Sequence, residues 1–66
     1  MQSNTPPTQS PLAVSPAEAA RMLGVGRTYL YELIQTGELR SVRLGKRRLI
    51  PVEAIRECLA ANEVQP

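Results

Sequence analysis

Two helix-length stretches, Pro16–Leu23 and Arg27–Thr36, are separated by only Gly24, Val25 and Gly26, and no other feature restricts the fold of this chain so strongly. The first stretch opens on Ser15, Pro16, Ala17 and Glu18. Serine is a favoured N-cap, proline suits the first helical position because the amide it lacks would be unpaired there, and a glutamate three residues after the serine closes a capping box. A helix is therefore expected over Pro16–Leu23, with Ala19, Ala20 and Leu23 facing inward and Gly24 as its left-handed stop. Arg27–Thr36 restarts the helix, with Leu30, Leu33 and Ile34 as an apolar stripe and Gly37 as the stop. Helices joined by so tight a turn must cross steeply. The small Ala20 permits close approach, Gly24 permits the corner, and Val25, Leu30 and Leu33 lock the second helix across the first.

Beyond Gly37 the period changes. Residues 39–44 place Leu39, Ser41 and Arg43 on one face and Arg40, Val42 and Leu44 on the other, which is strand alternation. Gly45 and Lys46 supply a turn, residues 47–50 return as the second strand, and Pro51 ends it because proline has no N–H for the ladder. Val52, Ile55, Cys58 and Leu59 then line one side of a third helix, Val52–Ala61. The expected order is helix, turn, helix, hairpin, helix: mainly α with a small β-hairpin. Residues 1–11 are polar and proline-rich and read as a disordered tail. The domain is expected over residues 12–61, followed by a flexible end at 62–66.

A chain of 66 residues holds one domain with a minimal core. It has one cysteine, Cys58, and no histidine, so neither an intrachain disulfide nor a zinc site with its usual ligands is expected. Cys58 reads as a small core residue. Without histidine or a clustered pair of acids, acid–base, metal and nucleophilic chemistry all lack their usual parts, and the expectation is a protein that is not an enzyme. No cofactor and no small-molecule substrate are expected. The apolar runs are far shorter than the roughly 20 residues that span a bilayer, and residues 1–11 have neither the basic nor the apolar region of a secretory signal. The expected location is therefore cytoplasmic and DNA-associated, away from membranes.

The net charge of +2 says little, but its distribution says more. Arg40, Arg43, Lys46, Arg47 and Arg48 fall within Leu39–Pro51, a stretch that holds no acid. A cationic hairpin beside a tight helical corner points to double-stranded DNA. On the second helix, Thr28, Tyr31, Glu32 and Gln35 lie opposite the apolar stripe, and Arg27 lies at the exposed start. Arginine makes bidentate contacts to guanine and threonine contacts bases or phosphates, so Arg27 and Thr28 are the expected base readers. Tyr31 suits a phosphate contact or a packing role, Gln35 extends the same face, and Tyr29 is assigned to packing. Glu32 is an acid in that face, favourable only if it accepts from cytosine or pairs with an arginine. Lys46, Arg47 and Arg48 would meet the backbone or minor groove, with alternation sending Lys46 and Arg48 one way and Arg47 the other. An ordinary helical hairpin with a solvated charge run is the plain alternative.

The stretch LAVSPAEAARMLGVGRTYLYELIQTGEL followed by VRLGKRRLIPVEAI resembles the excisionase family of winged helix-turn-helix proteins, related to the MerR-type DNA-binding domain. The likeness runs from Leu12 to about Leu59 and is carried by the Ser-Pro-x-Glu-Ala-Ala opening, the Gly-Val-x-Arg-x-x-x-Tyr corner, the Gly-Glu-Leu step and the Gly-Lys-Arg-Arg wing before Ile-Pro. Gly26 departs from the serine or threonine cap frequent in that family. The resemblance implies a recombination directionality factor of a phage or mobile element: an architectural protein that binds repeats beside an attachment site, bends the DNA and biases an integrase toward excision. It implies recognition-helix contacts at Arg27, Thr28 and Tyr31, and wing contacts at Lys46, Arg47 and Arg48. It also implies cooperative self-association on DNA and an integrase partner. Two other readings stay open: a small MerR-like transcriptional regulator, and a protein-interaction adaptor whose basic wing meets an acidic partner.

Overall fold

A computed structural model describes residues 11–64. In chain order these form β1 (Ala13–Val14), α1 (Pro16–Leu23), α2 (Arg27–Thr36), β2 (Val42–Leu44), β3 (Arg47–Pro51) and α3 (Val52–Ala61). The expected tail, apart from Pro11, and the last two residues of the expected C-terminal end lie outside the described residues.

The opening of α1 follows its capping chemistry with one change. Ser15 Oγ accepts a hydrogen bond from the Glu18 N–H at 3.1 Å, and Pro16 occupies the first turn. The Glu18 carboxylate does not reach back to close the box; it accepts instead from the Arg21 guanidinium one turn on, with the Nε contact at 3.0 Å. A guanidinium at i+3 offers two charge-assisted donors, which outcompete one backbone N–H. This pairing holds the Glu18 carboxyl below its usual range. Its small contribution is present above the pKa of the unfolded carboxyl and fades as pH falls through the lowered one.

The corner is built from backbone hydrogen bonds. Gly24 adopts φ 74°, and the N–H groups of Gly24 and Val25 bond the Arg21 and Ala20 carbonyls at 3.2 and 3.0 Å, which satisfies the end of α1. Val25 then packs against the core, and α2 begins two residues later. At the far end, Gly37 caps α2 and the Leu39 N–H bonds the Leu33 carbonyl at 3.1 Å.

That bond changes the reading of residues 39–41. Leu39 is not a strand residue: it is fully buried in the core, and β2 begins only at Val42. Closing the C-terminus of α2 pulls Leu39 inward, and Arg40 then reaches across to Glu57 of α3 with two hydrogen bonds of 3.1 Å. Arg40 is thereby removed from the free basic cluster.

The sheet has the order β1-β3-β2, antiparallel throughout. The strand β1 is not expected from the sequence, where Leu12, Ala13 and Val14 form only a short apolar run and two residues are too few to show an alternation. Ala13 lies opposite Pro51 and Val14 opposite Ile50, and the Val52 N–H bonds the Leu12 carbonyl at 2.9 Å. Pro51 is itself the last residue of β3, where its fixed φ is compatible with extended backbone, and it leads directly into α3.

Ala19, Ala20, Leu30, Leu33, Leu39, Ile50, Ala54, Ile55 and Cys58 form the core, with Val14, Leu23, Val25 and Ile34 packed around it. Leu59, expected on the inner side of α3, is 56% exposed, because the buried stripe of that helix runs through Ala54, Ile55 and Cys58 and leaves Leu59 at its edge. With α1 and α2 at the corner and the β2–β3 hairpin beside them, the architecture is the expected winged helix-turn-helix.

Candidate nucleic-acid interface

Helix α2 buries Leu30 and Leu33 and half-buries Ile34, which fixes its rotation. Arg27, Tyr31 and Gln35, spaced four apart, form an exposed stripe beside Ile34; Thr28 and Glu32 form the neighbouring stripe. The two tyrosines lie on opposite flanks. Tyr31, 46% exposed, is on the wing side, whereas Tyr29, 52% exposed, lines an apolar cleft of about 130 Å³ with Leu23, Val25, Leu33, Cys58, Leu59 and Asn62. Tyr29, expected to pack, is therefore mostly exposed at the edge of an open cleft and lies outside the core cluster.

The start of α2 is open. Gly26 provides no side-chain cap, the first turn holds no acid, and the Gly26 carbonyl accepts from the Leu30 N–H at 3.0 Å. The leading amides, Arg27 beside them, form a positive end suited to an anion. Glu32 takes part in no ion pair among the described residues, so Arg27 does not neutralise it.

The hairpin is pinned by register: Val42 faces Leu49, Arg43 faces Arg48, and Leu44 faces Arg47. Gly45 and Lys46 form the loop, and Gly45 has φ 61°, the positive value required at the first position of a two-residue hairpin turn. Opposed residues project to the same face and successive residues to opposite faces. Arg48 therefore shares a face with Ile50, which is buried in the core, and this is the face turned toward the helices. Arg47 projects away with Val42, Leu44 and Leu49, and Lys46 lies in the turn, not on either strand face.

Helix and wing meet in one cleft. Tyr31, Ile34 and Gln35 of α2 and Arg48 of β3 line a space of about 350 Å³. Arg43 lies opposite Arg48 on the same face of the hairpin, beyond the cleft lining; the sequence places it only in the basic run, and the hairpin register shows the pairing. Among the described residues Arg27, Arg43, Lys46, Arg47 and Arg48 enter no ion pair, in contrast to Arg21 and Arg40. Their charge is uncompensated by neighbouring acids. Elsewhere, Cys58 is buried, and its burial, with the nearby negative charge of Glu38, pushes the thiol pKa up; it sits as the expected core residue. The described residues contain no group of three His, Cys, Asp or Glu that would hold a metal ion, and no helix long and apolar enough to cross a membrane.

The helix-turn-helix domain family matches residues 13–63, from β1 to just past α3. The chain belongs to that family. Over 38 residues this helix-turn-helix protein is also 55% identical to a "Probable excisionase" of Saccharopolyspora erythraea, with 58% of this chain and 39% of that protein covered. The chain thus spans about two fifths of the length of that relative. No solved structure matches the helix-turn-helix chain. In helix-turn-helix domains the second helix is the one that enters the major groove of DNA. Here that helix is α2, and a DNA-binding role follows from the membership.

Proposed function

We propose that the chain is an architectural, sequence-specific DNA-binding protein of the excisionase type. The observation that carries this reading is the convergence of Tyr31 and Gln35 of α2 with Arg48 of the wing around one open cleft, with Arg27 one turn before Tyr31 on the same exposed stripe. Helix α2 docks in the major groove, Arg27 and Thr28 read base edges, and Tyr31 and Gln35 meet bases or phosphates deeper along the helix. Lys46, Arg47 and Arg48, with Arg43, hold the phosphates of the adjoining minor groove. Membrane and small-molecule partners play no part in this reading.

A single module of this size buries only about 600 to 1,000 Å² on DNA. Several copies bound cooperatively to neighbouring repeats would supply the remaining affinity, bend the duplex and set the geometry in which an integrase excises a mobile element. The relative's name supports excision over the use of the same surface at a promoter.

Two measurements test the reading. Binding to random-sequence duplexes over a salt series is expected to give a log K against log salt slope of roughly −4, since each neutralised phosphate contributes about −0.9 and five free cations face the duplex. A slope near zero would remove the electrostatic basis. An excision assay with an integrase encoded beside this protein's own gene is then expected to require the chain; excision at full rate without it would leave transcriptional control as the better account.

A further inference from the structure

Leu44 is 65% exposed, although it stands immediately before the wing turn with Arg43 on one side and Gly45–Lys46–Arg47 on the other. Directly across the hairpin is Arg47, and behind it on the same face are Val42, itself exposed, and the half-buried Leu49. The face of the wing turned away from α2 is therefore an apolar strip that ends on a leucine at the tip. An isolated exposed leucine is common on protein surfaces. This one is placed where Arg43, Lys46, Arg47 and Arg48 gather without an acidic partner, and a surface that collects phosphate brings the leucine against whatever lies between the phosphate rows.

In the minor groove that space is bounded by base-pair edges and apolar sugar carbons. Side chains such as leucine, inserted there, partly unstack a base step and kink the duplex toward the major groove. We propose that Leu44 is the apolar contact of the wing in the minor groove and the residue through which the wing bends DNA, while Lys46 and Arg47 hold the flanking phosphates. The proposal rests on the DNA-binding reading above and assigns bending to a residue that carries no charge.

The distinction is measurable. A single-site duplex is selected by the wild-type 66-residue chain from a random-sequence library, and affinity, salt dependence and end-to-end distance by energy transfer are then compared across variants. Leu44→Ala is expected to lower affinity roughly three- to tenfold through lost apolar burial and to straighten the duplex. It leaves the salt slope unchanged, because leucine releases no counterions; Arg47→Ala reduces the slope by about one. Leu44→Met is expected to retain both affinity and bend, and both Leu44 variants melt with the wild type because the side chain lies outside the core. Affinity within twofold of wild type and an unchanged bend in Leu44→Ala would overturn the proposal. So would a loss seen only on tandem sites as weaker cooperativity, which would mean that a second copy covers the strip. Failure of the wild-type chain to bind any duplex would overturn the underlying reading together with this one.

Discussion

Gly26 and Gly24 flank Val25 at the corner, and their backbones make opposite demands. Gly26 has φ −76° and ψ 163°, ordinary extended values, and a Cβ built there meets nothing within 4 Å. A serine would fit, cap the open start of α2 and reduce the freedom of the unfolded chain. Gly26→Ser is therefore expected to stabilise the protein by about 0.5 to 1 kcal/mol, and to raise the melting temperature by roughly 2 to 8 °C. Gly24 also has open space around its Cβ position, but its φ is 74°. Gly24→Ala is expected to destabilise by about 1 to 2 kcal/mol from backbone strain alone. Thermal melts followed by circular dichroism check both; equal shifts of the same sign would contradict the conformational account. The difference between the two glycines was partly legible in the sequence. A glycine after Leu23 reads as a stop, and one before Arg27 stands where a capping side chain belongs.

At the scale of the elements, α2 and the wing divide the work. Arg27 stands at the start of the exposed α2 stripe proposed to face the groove, whereas Arg47 lies on the wing face turned from α2. Arg27→Ala is expected to relax preference at one base position by about 1 to 3 kcal/mol, and Arg47→Ala to weaken all sequences alike and shorten the salt slope. Competition binding with single-base variants of a selected site separates them; identical profiles would refute the division. The helices were the most legible elements, since Ser15, Pro16, Gly24 and Gly37 punctuate them chemically. The strands were less so. Leu39 fits an alternating pattern equally well as a strand residue or as the plug beneath α2, and only the closure of α2 on the Leu39 N–H decides for the plug. The two-residue β1 depends on partners 36 and 38 positions away, and a pairing that distant leaves no local mark.

For the whole molecule, the informative quantity is where the eight basic residues fall, not the net charge of +2. Arg21 and Arg40 are paired with Glu18 and Glu57, and of the six cations outside these ion pairs five lie at the start of α2 and on the wing, with Arg56 on α3 the exception. That sorting was beyond sequence reasoning, because the Arg40–Glu57 contact spans 17 positions. The proposed site residues were all found on exposed or half-buried surface of α2 and the wing, yet their convergence depends on the rotation of α2 and on hairpin register. The most direct test of that convergence is a titration of the isotope-labelled chain with a short DNA duplex, followed by amide chemical shifts. The account predicts that Arg27, Thr28, Tyr31 and Gln35 shift together with Arg43, Lys46, Arg47 and Arg48 at the same DNA ratio. Movement confined to the opposite cleft around Tyr29 and Leu59, with α2 and the wing unaltered, would contradict it.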